Sequence, residues 1–142
     1  MIIYGGLHNY TNTDKSLYSL NLETLEWKIK GQKGIKPVSR DEHSVVLYNS
    51  SMYIFGGSLS KGPLSNDLWV YAIETEEWKK LETTGAKPSP RSGHAACILD
   101  SKMYVFGGIS EDNVRLNDLW VCNLDSAQWE EVKCEKPPKV TV

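Results

Sequence analysis

Charged residues that could do chemistry recur in this sequence at fixed spacing. Arg40 and His43 return 51 residues later as Arg91 and His94, and Asp67 returns as Asp118. An arginine binds a carboxylate or phosphate through two parallel hydrogen bonds. A histidine moves protons near neutral pH or ligates a metal, and two aspartates divide acid and base roles when they share a cleft. The surrounding sequence completes none of these arrangements. The only histidines are His8, His43 and His94, with no further ligands nearby at metal-binding spacing. No nucleophile–base pair stands out. Asp67 and Asp118 each follow an asparagine at equivalent repeat positions, so they are expected to bond local backbone and close a loop. His43 and His94 are expected to hydrogen-bond backbone at the start of a strand. The sequence therefore predicts no catalytic residue, no metal ligand and no cofactor.

An internal repeat sets the elements that carry these residues. Gly5-Gly6, Gly56-Gly57 and Gly107-Gly108 are spaced by 51 residues, as are Trp27, Trp78 and Trp129, and Tyr18, Trp69 and Trp120. Asn66 to Val70 recurs as Asn117 to Val121, with no insertion to break the register. Within one unit, residues 43–49, 52–55, 68–73 and 78–81 form short runs rich in β-branched and aromatic residues, separated by turn-forming clusters. No stretch sustains a 3.6-residue period. Four short strands in a repeat of about 50 residues is the pattern of a propeller blade.

The double glycine after an apolar strand, the aromatic in the next strand and the tryptophan nine residues later resemble the kelch motif. The Pro-x-x-Arg-x-x-His run (Pro37, Arg40, His43; Pro88, Arg91, His94) fits the same family, and the resemblance covers nearly the whole chain. It implies an all-β kelch-type propeller fragment of three four-stranded antiparallel blades, either an open arc or completed by oligomerisation. Residues 1–36 would form a partial first blade, 37–87 a second, 88–136 a third, and 137–142 a tail. With strands named A to D outward from the channel, blade two has A at 43–48, B at 52–55, C at 68–73 and D at 78–81. Blade three has them at 94–99, 103–106, 119–124 and 129–132. Blade one has B at 1–4, C at 17–22 and D at 27–29, and lacks strand A.

In this frame the glycines supply positive φ and close backbone approach where strand B ends. A phosphate cradle is disfavoured because neither G-x-x-x-x-G-K-[ST] nor G-x-G-x-x-G is present. The two aromatic series are expected to fill the space between blades rather than to stack on nucleic-acid bases. Arg40 and Arg91 stay open between two roles. The resemblance places them at the partner-binding end of the channel, yet their recurrence suits a structural link to backbone carbonyls. Asp41-Glu42 differ from Ser92-Gly93 and are better placed for specificity. The B–C loops share length but almost no sequence, and loops on a rigid scaffold are where recognition resides. The expected partner-binding set is Arg40, Asp41, Glu42, Arg91 and Ser92, with His8, Asn9, Tyr10, Ser58, Lys61, Glu111, Asp112 and Arg115 from the B–C loops.

A net charge of −2 argues against a nucleic-acid surface built on basic residues. No apolar run approaches the ~20 residues a membrane helix needs, and the N-terminus lacks the features of a secretory signal. Three cysteines, none at C-x-x-C spacing, predict neither a disulfide framework nor a zinc site, and an intracellular, cytoplasmic setting is expected. The function so implied is a scaffold that holds a protein or peptide through B–C and D–A loops at one rim, not an enzyme, with neither nucleic acid nor membrane as partner. A homodimer closing a six-bladed ring is a further expectation. The alternatives are part of a propeller enzyme, as in the galactose oxidase-like propellers the repeat resembles, with its site completed by missing sequence or another chain, and a purely structural propeller segment.

Overall fold

The computed structural model describes residues 1–8, 12–60 and 62–135. Alternating apolar residues build short strands here, and turn clusters end them before a helix can start. The first blade contains β1 (Ile2–Tyr4), β2 (Leu7–His8), β3 (Asn12–Thr13), β4 (Leu17–Leu20), β5 (Trp27–Ile29) and the connecting β6 (Lys33–Gly34). The second contains β7 (Arg40–Asp41), β8 (Ser44–Tyr48), β9 (Ser51–Phe55), β10 (Ser58–Leu59), β11 (Leu68–Ala72) and β12 (Glu77–Leu81). The third contains β13 (Ala95–Leu99), β14 (Lys102–Ile109), β15 (Arg115–Asn123) and β16 (Gln128–Val132). Among the described residues none forms a helix, so no helix is long and apolar enough to cross a membrane.

The blade sheets are antiparallel meanders. β8, β9, β11 and β12 pair in sequence in blade two, as do β13, β14, β15 and β16 in blade three. Blade one has β1, β4 and β5 only, with no inner strand beside β1 among the described residues. Two details depart from the sequence reading. The connection leaving blade one was expected to be loop, but β6 adds to blade two as a fifth strand, parallel to β12. A Cβ on Gly34, which has φ +75°, would lie 2.6 Å from the Trp78 carbonyl oxygen, so only glycine lets this strand lie flush. In blade three, strand B does not end at the double glycine. β14 passes through a bulge between Phe106 and Gly108 and pairs with β15 out to Ile109 and Arg115.

The core lies between blades, not within them. Each blade presents a leading face toward the next blade and a trailing face toward the one before. Tyr4 and Leu17 of blade one pack with Met52, Ile54, Trp69, Tyr71 and Trp78 of blade two. Val46, Phe55 and Leu68 of blade two pack with Met103, Val105, Cys122, Leu124 and Trp129 of blade three. The expected inter-blade role thus holds for Trp78 and Trp129, which are 2% and 1% exposed. It holds for Trp69, and Trp120 packs on the second cluster half-buried. It fails for Trp27, which is 54% exposed and meets Tyr18 edge-on at 6.4 Å. Trp27 lies on the trailing face of blade one, where the described residues place no preceding blade.

Candidate functional site

The D–A connections and B–C loops meet at one rim, and the repeated arginines lie beneath it. Arg40 and Arg91 are both 0% exposed. The Arg40 Nε donates to Val38 O at 3.1 Å and its Nη1 to Gly56 O at 2.8 Å. Its two terminal nitrogens also hold the Asp67 carboxylate at 2.6 and 3.3 Å. Arg91 repeats this with Ser89 O at 3.1 Å, Gly107 O at 3.0 Å and the two oxygens of Asp118 at 2.7 and 2.8 Å. Main-chain groups of the same residues join successive blades. Arg40 O accepts from the Gly6 amide at 3.0 Å, and Arg91 O accepts from the Gly57 amide at 2.9 Å. Each arginine is therefore a staple, with its side chain closing its own blade and its carbonyl gripping the blade before.

This explains the double glycine. A Cβ on Gly56, at φ +65°, would stand 2.9 Å from Arg91 O and 2.8 Å from a His94 ring carbon. The next blade's connection leaves no room there for a side chain.

The aspartates do more than close turns. Asp67 also accepts from Trp69 Nε1 at 2.7 Å, and Asp118 from Trp120 Nε1 at 2.6 Å. Burial alone would raise both carboxyls, but the hydrogen bonds and charge of Arg40 and Arg91 outweigh it and hold them below the usual value. The signal for this pairing was in the sequence, since each aspartate follows its arginine by the same 27 residues. A buried guanidinium requires such a counter-charge.

The histidines sit just before strand A. His94 Nε2 shares a hydrogen bond with the Ser44 hydroxyl of the neighbouring blade at 2.8 Å, and the backbone of Phe55 is a further partner of the ring. Burial, reinforced by Arg40 or Arg91, pushes His43 and His94 down to about 4. Both are neutral at physiological pH.

The rim proper is knit by backbone. β10 pairs with β7, matching Ser58 with Asp41, so loop B–C of blade two is bonded to the connection entering the same blade. Ser92 and Ile109 make the equivalent bridge in blade three. The Gly93 amide donates to Glu42 O at 2.9 Å, and Asn66 Nδ2 to Pro88 O at 2.8 Å, joining the rims of adjacent blades. Of the residues expected to bind a partner, Arg40, Arg91 and Ser92 are withdrawn by burial, and both guanidinium groups are held by internal acceptors. Asp41 and Ser58 are half-buried on this rim, while Glu42, Glu111, Asp112 and Arg115 are exposed. Arg115 opens β15 instead of lying in a loop. The backbone of His8 pairs with Asn12. Asn9, Tyr10, Lys61 and the tail 137–142 lie outside the described residues. Among the described residues, no three His, Cys, Asp or Glu side chains converge as a metal site.

Blade sheets, inter-blade tryptophans and arginine staples define a kelch-type propeller segment. The profile of the KLHDC2/KLHL20/DRC7 Kelch-repeats domain matches residues 1–141, and the chain belongs to the kelch-repeat family. Its relatives include the leucine-zipper-like transcriptional regulator 1 homolog of Drosophila melanogaster, 36% identical over 97% of this chain and 15% of that protein. The Rho GTPase-activating protein gacHH of Dictyostelium discoideum is 36% identical over 85% of this chain and 8% of that protein. Human host cell factor 2 is 36% identical over 75% of this chain and 15% of its own length. The chain thus spans a small part of these relatives. Kelch-repeat domains are typically protein-interaction propellers, and these relatives are named as regulators and host cell factors.

Proposed function

We propose that this segment binds a protein or peptide partner through its B–C and D–A loops at one rim. One contrast carries the reading. The residues that recur between repeats (the glycines, arginines, histidines and aspartates) are directed into internal contacts. Those that differ between repeats lie on the rim, where Glu42, Gly93, Glu111, Asp112 and Arg115 are exposed and the backbone is braced by strand pairing. A backbone held this firmly presents side chains with little ordering left to lose on binding. The three free thiols suit an intracellular setting.

The test compares partner retention from cell extract by the wild-type chain and by a Glu111→Lys, Asp112→Lys, Arg115→Glu variant. A Lys79→Glu, Lys80→Glu variant, altered on the outer β12, serves as control. The expected result is loss of partners with the rim variant alone. Equal retention by all three proteins would remove the rim from the function and leave a purely architectural segment.

A further inference from the structure

The two junctions between successive blades follow one plan but are not stitched alike. At each, the connection leaving one blade crosses the outer strand of the next. At the first junction, side chains from both blades tie it down. Gln32 Oε1 accepts from Trp78 Nε1 at 3.0 Å, while Gln32 Nε2 donates to Lys15 O at 3.0 Å. The Tyr71 hydroxyl donates to Gly31 O at 2.7 Å, Lys33 Nζ donates to Thr75 O at 3.2 Å, and Lys30 pairs with Glu76 at 2.7 Å. The backbone adds the strand β6 along β12.

At the second junction the same repeat positions hold Leu81, Thr83, Thr84, Cys122 and Ala127 in place of Lys30, Gln32, Lys33, Tyr71 and Glu76. Cys122 Sγ reaches only Asn123 O of its own strand, at 3.8 Å. Trp129 is 1% exposed, and its Nε1 finds no acceptor among the described residues. Where β6 pairs along β12, Thr84 makes a single bridge to Gln128. Two backbone bonds remain, from the Thr84 amide to Ala127 O at 2.9 Å and from the Trp129 amide to Thr84 O at 3.0 Å. The inner half of this junction is closed by contrast. His94 meets Ser44 at 2.8 Å, Asn66 Nδ2 donates to Pro88 O at 2.8 Å, and the Gly57 amide donates to Arg91 O at 2.9 Å. On the opposite side, the Tyr48 hydroxyl anchors Asp125, in the turn before β16, at 3.1 Å.

We propose that residues 82–87 form a strap that lifts from β16 while blades two and three stay joined. The strap is bounded by Leu81, which packs on the core between these blades, and by the fully buried Pro88. All its residues except Thr83 are exposed. Segments with few buried contacts and exposed backbone bonds are the ones that open locally. Lifting breaks the two backbone bonds of Thr84 and hands the Trp129 indole N–H to water, which removes the cost of enclosing an unpaired donor. It also bares the outer edge of β16, whose backbone donors and acceptors could then receive another strand. Gln32 denies the first junction this release, because it already satisfies Trp78. The inference does not rest on the rim's binding a partner.

The experiment follows native-state hydrogen exchange of the 142-residue chain by NMR at neutral pH, with rates corrected for intrinsic exchange. The Thr84 and Trp129 amides and the Trp129 indole should exchange about tenfold faster than the Gly57 and Arg91 amides at the inner half of the same junction. Thr83→Gln supplies Trp129 with the acceptor that Gln32 gives Trp78, and should slow the three outer sites about tenfold while leaving the inner ones unchanged. Thr83→Val, which brings no acceptor, should leave all of them as in wild type. Uniform exchange across the wild-type junction overturns the proposal without recourse to any variant. So do outer sites that ignore Thr83→Gln, or that slow equally with Thr83→Val.

Discussion

Arg40 and Glu42 lie two residues apart and belong to different regimes. Arg40 is enclosed, holds a carboxylate and two carbonyls, and is duplicated in Arg91 with the same partners at the same spacing. Glu42 is exposed on the rim, and its counterpart in the next repeat is Gly93. Their backbones nonetheless agree, with φ of +52° at Glu42 and +62° at Gly93. Glycine reaches this conformation freely, whereas a glutamate there costs about 1 kcal/mol. The interior of the repeat fixes side-chain identity, while the rim fixes only backbone shape. A rim that keeps its shape while its side chains change is suited to recognition.

The largest losses of stability are expected at the arginine staples. Replacing Arg91 by Met leaves the Asp118 carboxylate half-buried without its counter-charge. A loss of about 3–5 kcal/mol in urea-unfolding free energy is expected. A loss under about 1 kcal/mol would make the staple ornamental. Trp129→Ala opens a void against Phe55 and should cost about 3–5 kcal/mol. Acid sharpens the same contrast. His43 and His94 titrate near 4 when folded and near 6.5 when unfolded, so the unfolded chain takes up protons first. Their contribution is complete above pH 6.5 and is lost as pH falls toward 4, roughly 3 kcal/mol for each histidine. Asp67 and Asp118, held below their usual value, add to the loss at still lower pH. A urea midpoint that stays flat from pH 7 to about 4 would contradict buried neutral histidines. The smallest effect is expected at the rim, where Glu42→Gly should leave the unfolding free energy within about 1 kcal/mol of wild type, on the stabilising side if either.

Much of this was legible in the residues. The 51-residue register placed the blade strands to within a few residues, because apolar alternation and turn clusters act locally. Gly56 was read as a close-approach glycine, and Arg91 O and the His94 ring are what approach it. Other features depend on contacts between blades. The exposure of Trp27 was not legible, since it shares its repeat position with two buried tryptophans and differs only in that the described residues place no blade beside it. Nor was the strand Lys33–Gly34, which pairs with a partner more than 40 residues away and carries no β-branched residue. The hairpin linking β14 to β15 was hidden because the double glycine, a strand end in blade two, is a bulge in blade three. Between two roles for Arg40, sequence alone left the choice open, and burial against Asp67 decides it.

A graft separates repeated residues that build the fold from differing residues that recognise a partner. Asp41→Ser together with Glu42→Gly gives blade two the rim residues of blade three on a backbone of the same shape. A melting temperature within about 4 °C of wild type is expected, with loss of the partners retained by the wild-type chain. A grafted protein that unfolds early, or one that keeps every partner, would contradict it.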